Sequence, residues 1–430
     1  MAKDANGKTT SATSMWNFGR KGWKVAIYQV IWFFFMTGMT VDGLNIIVPQ
    51  VAAYRGWDAD TILSYSTPAS IIALFVVVVF GGIAKRFGLK KTMVTTMFAA
   101  GAVTILYGNA SSQALYFISL VLMVSLINAF ACILGLSICT NWFPTKKGVV
   151  MGFTTIGMNL ASALISQILN KLSAWTNIAV AISIMGGLII VVGILTAIFI
   201  KETPEQEGCY PDNDPAIAAL LQKGELANGE ESSITYRQAL KNPKVWLFGV
   251  AYGFFGLATV GIMSQLVGYF QEVRGFELQS ALNVMTIAAV IGIAGSIIWG
   301  VIDQKIGTKK TSVIFGIWYS IGIFLLIVPT VPTMIVGIIM LGAGIGGNGN
   351  FPPSMAALVF GRKDFPVYYS IMNTIVGVVR SCSFLILALL RSMTSGYTVP
   401  YIVFAILALI GGLMVIPIKV KGAVGETEEA

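Results

Sequence analysis

The sequence predicts an all-α integral membrane protein of twelve transmembrane helices in two six-helix pseudo-repeats. Three observations predict it. Of 430 residues, 56% are hydrophobic and only 11% are charged, whereas a soluble domain carries about 25% charged residues. Apolar stretches long enough to cross a bilayer core, about 20 residues each, recur twelve times. A twelve-residue motif occurs once in each half. Gly81–Thr92 reads GGIAKRFGLKKT and Gly300–Thr311 reads GVIDQKIGTKKT, identical at six of twelve positions. Each copy follows the second span of its half, so the chain reads as a duplicated six-helix unit. Such a duplication, with a substrate site between the halves near the midplane, is a transporter plan.

The predicted spans are 25–48, 62–84, 92–110, 114–142, 149–170 and 176–200, then 245–271, 279–302, 311–330, 333–360, 367–390 and 397–418. They define an N-terminal bundle (25–200), a C-terminal bundle (245–418) and short tails (1–24 and 419–430). The one long polar segment, 201–244, carries Glu202, Glu205, Glu207, Asp212 and Asp214 and an amphipathic stretch from Ala216 to Leu226. It reads as a cytoplasmic linker with a surface helix, the alternative being a small regulatory element. Residues 1–14 are polar and the first apolar run is too long for a leader, so no cleavable signal peptide is expected.

Orientation follows from the loops. Lys85, Arg86, Lys90, Lys91, Lys146, Lys147, Lys305, Lys309, Lys310, Arg362 and Lys363 fall in alternate loops, and the opposite loops carry only Arg55, Lys171, Arg274 and Arg391. The basic side is cytoplasmic, which places both termini inside and the chain in the cell's inner membrane. The net charge of +9 is therefore a membrane-orientation signal and not a nucleic-acid footprint.

Several chemistries are excluded. The chain has no histidine, so no imidazole relay or metal ligand exists. Cys132, Cys139, Cys209 and Cys382 lack metal or redox spacing. The run Gly342-Ala343-Gly344-Ile345-Gly346-Gly347-Asn348-Gly349 lacks the Lys-Ser/Thr of a phosphate loop and lies in an apolar span. It reads as close packing and a gating flexure. No cofactor, metal or nucleophile constellation is expected, and no enzyme activity.

The loop after the second span resembles the signature G-x-x-x-D-R-x-G-R-K of the major facilitator superfamily. Gly81, Arg86, Gly88, Lys90 and Lys91 match in part, while Lys85 stands at the acidic position. In the second copy the acid is Asp303, one place early, with Gln304 at the expected position. The resemblance implies that this acid contacts a neighbouring helix end and steadies the outward-open state, so Arg86 and Asp303 are gating candidates. Asn141-Trp142-Phe143-Pro144-Thr145-Lys146-Lys147-Gly148, followed by Gly152, is similar to a signature of the oxalate:formate antiporter group and related monocarboxylate porters. Ala239–Trp246, Phe351-Pro352-Pro353-Ser354 and Phe360-Gly361 resemble the same group. Two departures matter: the group's basic residue in the eighth span is Ser296 here, and its lysine in the eleventh span falls at about Val376. One cation at depth does not suit a dianion, which argues against oxalate itself.

Only two spans hold an ionisable side chain well inside, Asp42 and Arg380. Such residues cost several kcal/mol unless paired or hydrated, so they are functional candidates by default. Arg380 lies about 13 residues into its span, about 20 Å along a helix. Its planar fork matches a carboxylate and cannot be deprotonated. Asn373 lies seven residues earlier on the same face. The plainer reading of Arg380 is a structural ion pair. Asp42 continues a stripe of Tyr28, Trp32, Phe35 and Met39. It can carry a coupling proton, hold a cationic substrate group, pair with Arg380, or sit wetted at the outer mouth. Tyr28, Trp32, Gln265, Asn348 and Tyr252 are further substrate-site candidates, and polar residues of this kind also bridge helices structurally.

These residues predict a secondary transporter of a small organic monocarboxylate, working by alternating access as a monomer. Its partners are the lipid bilayer, the organic anion and a proton or counter-anion. Two readings compete. One is a proton-coupled efflux pump for hydrophobic compounds, against which residues 152–161, GFTTIGMNLA, lack the proline and second glycine pair of drug exporters. The other is a zwitterion carrier using Asp42 for an amine and Arg380 for a carboxylate.

Overall fold

The computed structural model describes residues 15–58, 61–62, 65–222, 234–263, 266–394 and 396–417. Among them, the regular elements are helices. Among the described residues, nine helical spans are long and apolar enough to cross a membrane, from Gly19–Asp42 to Val331–Gly361. Three further helices stand where the third, eleventh and twelfth spans are expected. They are less apolar or shorter for readable reasons. The third opens on Lys90-Lys91 and carries four threonines, the eleventh carries Arg380 and Asn373, and the last has 16 residues.

Chain contacts divide the protein into two compact units. The first unit comprises residues 20–142 and 157–208. Its helices are α1 (Gly19–Thr37), α2 (Leu44–Arg55), α3 (Ser66–Phe87), α4 (Leu89–Gly108), α5 (Gln113–Asn128), α6 (Leu136–Trp142), α8 (Ile156–Trp175) and α9 (Ile178–Phe199). The second unit comprises 1–19, 143–156 and 209–430. It holds α7 (Lys147–Thr154), α10 (Pro215–Gln222), α11 (Tyr236–Lys241), α12 (Pro243–Met263), α13 (Leu266–Glu272), α14 (Leu278–Ile306), α15 (Thr308–Ile327), α16 (Val331–Asn348), α17 (Phe351–Thr394) and α18 (Thr398–Leu413). The fifth predicted span is thus α7 and α8 together, bent at Thr155. α7 belongs to the second unit because Gly148 and Gly152 let it lie directly on Asp303, Ser296 and Gly300 of α14.

α9 shows why these helices suit a bilayer. Val180, Ile184, Leu188, Val191, Leu195 and Ile198 are exposed, while Ala181, Ile182, Met185, Ile189, Gly193 and Thr196 are buried. An exposed apolar stripe at helical spacing has lipid as its natural solvent. Inside the helices, threonine and serine hydroxyls return to carbonyls four residues back, as in Thr96→Thr92 and Thr104→Ala100, which removes the cost of unsatisfied polar groups in hydrocarbon.

The internal repeat is real at the backbone. Gly88 has φ 92° and ψ 146°, and its counterpart Gly307 has φ 85° and ψ 150°. Only glycine occupies that region without strain. Both residues end one helix and start the next within a single step. Elsewhere starts are capped by side chains, with Ser112, Asn177 and Thr330 accepting from the backbone N–H three residues on. Two π-helical segments, Gly38–Asp42 and Ala129–Gly135, interrupt the first and fourth spans. Gly361, with φ 69°, kinks α17 just after the tenth span ends.

Candidate functional site

In the second unit, glycines on one face of α12 set how close α17 can come. A side chain at Gly249 would strike Ile375, one at Gly253 would strike Val379, and one at Gly256 would press on Arg380. The methylene stem of Arg380 therefore lies along α12, with Cδ 3.3 Å from the point a Gly256 Cβ would occupy, while the residue as a whole is exposed. Long basic side chains commonly lay their stem along apolar surface in this way. Asn373 is half-buried two turns earlier on α17, and Asn348 is half-buried at the end of α16. Gln265 lies outside the described residues. Tyr252 is fully buried, and its hydroxyl pairs with Ser312 Oγ at 3.0 Å.

That pair is the first rung of a buried polar ladder. Ser312 Oγ donates to the Thr308 carbonyl at 2.7 Å, Thr308 Oγ1 pairs with Ser354 Oγ at 3.0 Å, and Ser354 Oγ donates to Asp303 Oδ2 at 2.6 Å. Ser354 spends its one proton on the carboxylate. Asp303 Oδ1 has no hydrogen-bond partner among the described residues, and Oδ2 lies 2.8 Å from the point a Gly148 Cβ would occupy. The first repeat serves as an internal control. Ala84, Leu89 and Met93, also buried, stand where Asp303, Thr308 and Ser312 stand in the second. The turn between the second and third helices of a half therefore folds without such a ladder in the first repeat. Removing its central donor by Ser354→Ala should cost about 1–3 kcal/mol, as expected when a buried carboxylate loses a partner. Thermal unfolding of the purified variant beside wild type measures it.

In the first unit, Asp42 is half-buried and accepts a 2.6 Å hydrogen bond from Ser162 Oγ of α8. The aromatic stripe holds as far as Met39: Trp32, Phe35 and Met39 are buried, and Tyr28 meets Trp32 edge-on at 6.0 Å. Beyond Met39 the simple helical spacing fails, because the π segment ending at Asp42 closes wider turns and shifts the register. The indole Nε1 of Trp32 is buried with no hydrogen-bond partner among the described residues. Arg86 is exposed and lies over the Phe87 ring, 5.4 Å from its centroid.

Sequence reading missed Gln29. It is fully buried on α1, and Nε2 donates to the Ala131 carbonyl inside the second π segment at 2.9 Å. Gly135 lies against both Gln29 Oε1 and the Trp32 ring, and Cys132 Sγ meets Met36 Sδ at 3.0 Å. The two π segments are thus tied together through α1. An amide alone among the aliphatic and aromatic residues 25–36 was the signal that could have found it. The hydroxyls of the ladder gave no such signal, since serines and threonines occur throughout the spans. No group of three or more metal-ligating side chains occurs among the described residues.

Comparison with known proteins agrees with this architecture. A family model described as Major Facilitator Superfamily matches residues 30–302 and 283–430. The uncharacterized MFS-type transporter YhjX of Escherichia coli (strain K12) is 22% identical over 310 residues, covering 71% of this chain and 72% of that protein. The oxalate:formate antiporter of Oxalobacter formigenes is 25% identical over 238 residues, covering 53% of this chain and 51% of that protein. YhjX apart, the match spans about half the length of the curated relatives. The solved structure of the proton:xylose symporter XylE superposes with a TM-score of 0.67 at 13% identity, covering 91% of this chain and 93% of that one. With the family model matching nearly the whole sequence, the chain belongs to the Major Facilitator Superfamily.

Proposed function

We propose that the protein is a secondary active transporter of a small organic monocarboxylate, operating by alternating access with proton symport or anion exchange. The observation that carries this reading is Arg380: a permanent cation well inside a span, its stem on the glycine face of α12 and its residue exposed. A guanidinium so placed offers two parallel donors to one carboxylate. The names of several relatives, the oxalate:formate antiporter and a probable sulfoacetate transporter among them, point to organic anions as cargo. Asp42, held by Ser162, is the proton-coupling group, and Asp303 and Arg86 act in gating. The protein works as a monomer in the inner membrane with both termini in the cytoplasm.

The test is uptake of labelled formate, acetate, lactate and pyruvate into proteoliposomes, with and without an inward proton gradient. Uptake driven by the gradient supports symport, and uptake that needs internal anion supports exchange. No uptake of any of the four overturns the monocarboxylate reading. Asp42→Asn should lose gradient-driven accumulation while keeping exchange of labelled for unlabelled substrate. Loss of substrate binding in that variant would instead favour a zwitterionic cargo with its amine on Asp42.

A further inference from the structure

The turn Phe143–Gly148 and the linker meet in a way the transport reading does not use. Asp212 is fully buried although it lies in a polar linker. Its Oδ2 accepts from Thr145 N at 2.9 Å and from Thr145 Oγ1 at 2.8 Å, and its Oδ1 accepts from Lys146 N at 3.2 Å. Lys146 Nζ then donates to the Asp212 carbonyl at 2.8 Å and to the Asn17 carbonyl at 2.7 Å. The linker carboxylate thus satisfies the two backbone donors of Thr145 and Lys146, the residues that lead directly into α7. Burial pushes the Asp212 carboxyl up from the usual carboxylate range, and the bonds from Thr145 and Lys146 and the Lys146 charge oppose that shift.

Two more observations show a built contact. Asp212 and Asn213 both have left-handed backbones, φ 57° and 55°. Such residues persist where surrounding contacts over-determine them. Asn213 lies against Gly19 and donates from Nδ2 to Asn17 Oδ1 at 3.1 Å. From the other side, Gln304 Nε2 of α14 donates to the Thr145 carbonyl at 2.8 Å. In the first unit the preceding residues of the same signature also hold linker backbone. Asn141 Nδ2 donates to the Glu202 carbonyl at 3.3 Å and Trp142 Nε1 to the Lys201 carbonyl at 3.0 Å.

We propose that the linker segment 209–214 is a strap that fixes the start of α7, and that the signature Asn141–Gly148 is the dock for the chain's own linker. The strap gives the linker control over the helix that carries Gly148 and Gly152 against Asp303 and Gly300. It stands on these contacts alone and is independent of the cargo.

Hydrogen–deuterium exchange on the full-length protein in detergent, wild type beside Asp212→Ala and the milder Asp212→Asn, tests it. Freeing the strap should speed exchange about tenfold across residues 143–150, with the amides of α9 and α12 unchanged as the check on folding. Asp212→Asn, which keeps one acceptor oxygen, should lie between wild type and Asp212→Ala. Faster exchange confined to 209–214, or no change, overturns the proposal. It would show that the linker rests on the turn without holding it. Failure of the wild type to take up formate bears on the transport reading and leaves this result untouched.

Discussion

Arg380→Gln is expected to abolish monocarboxylate uptake while leaving the protein folded. Glutamine retains hydrogen-bonding capacity and much of the length, but it removes the charge and the paired donors that match a carboxylate. Loss of one partner of a desolvated charge pair costs about 2–5 kcal/mol. At about 1.4 kcal/mol per tenfold change, uptake falls by at least about thirtyfold. The stem contact on Gly256 is partly kept, so the helix pair α12–α17 should pack as before. The check is initial uptake rate in proteoliposomes, normalised to correctly inserted protein, with size-exclusion behaviour as the folding control. Normal uptake by the variant would make Arg380 a structural residue and remove the main support for an anionic cargo. Arg380→Lys discriminates further: a point charge without the fork should restore only part of the rate if bidentate recognition matters.

Gly346→Val should prevent correct packing of the second unit. A Cβ at Gly346 would overlap the Gly292 carbonyl oxygen of α14 and come within 2.6 Å of Ser296 N. These are backbone atoms, which cannot swing aside as the end of a flexible side chain can. The neighbours are equally tight: a Cβ at Gly344 would meet the Tyr319 ring and one at Gly347 the Trp299 ring. Overpacking a close-packed interior typically costs about 1–3 kcal/mol and occasionally more. A backbone clash between two membrane helices belongs at or above the upper end. Gly187→Ala on α9 is the matched control, because nothing lies within 4 Å of that Cβ position. Detergent-solubilised yield and melting temperature should fall sharply for Gly346→Val and stay level for Gly187→Ala. Equal behaviour would mean that α14 and α16 can separate without loss. The same geometry gives the glycine-rich run its role in packing, since α16 remains helical through Asn348.

Much of the architecture was legible before any coordinates. Span positions were readable because hydropathy over about 20 residues is a local property that the bilayer tests directly. The repeat was readable down to Gly88 and Gly307, because a turn that only glycine can make leaves a residue in the sequence. Boundaries were less legible. The tenth span is broken by a turn at Gly349–Asn350 and finishes inside α17, which runs on into the eleventh, and the fifth divides between two units after Ile156. Hydropathy does not register a bend within a continuous apolar run.

The sequence by itself determined the fold class, the repeat and the short list of charges inside spans, Asp42 and Arg380. Each of these follows from the solvent a residue must tolerate, which depends on composition within one helix. Only the tertiary structure decided what those polar groups touch. Ser162 reached Asp42, a ladder of common hydroxyls reached Asp303, Gln29 bridged into a π segment, and Asp212 bound the turn that leads into a helix far from it in sequence. A hydrogen bond is won by whichever donor lies within about 3 Å in the right direction. Distance along the chain carries no record of that once helices cross.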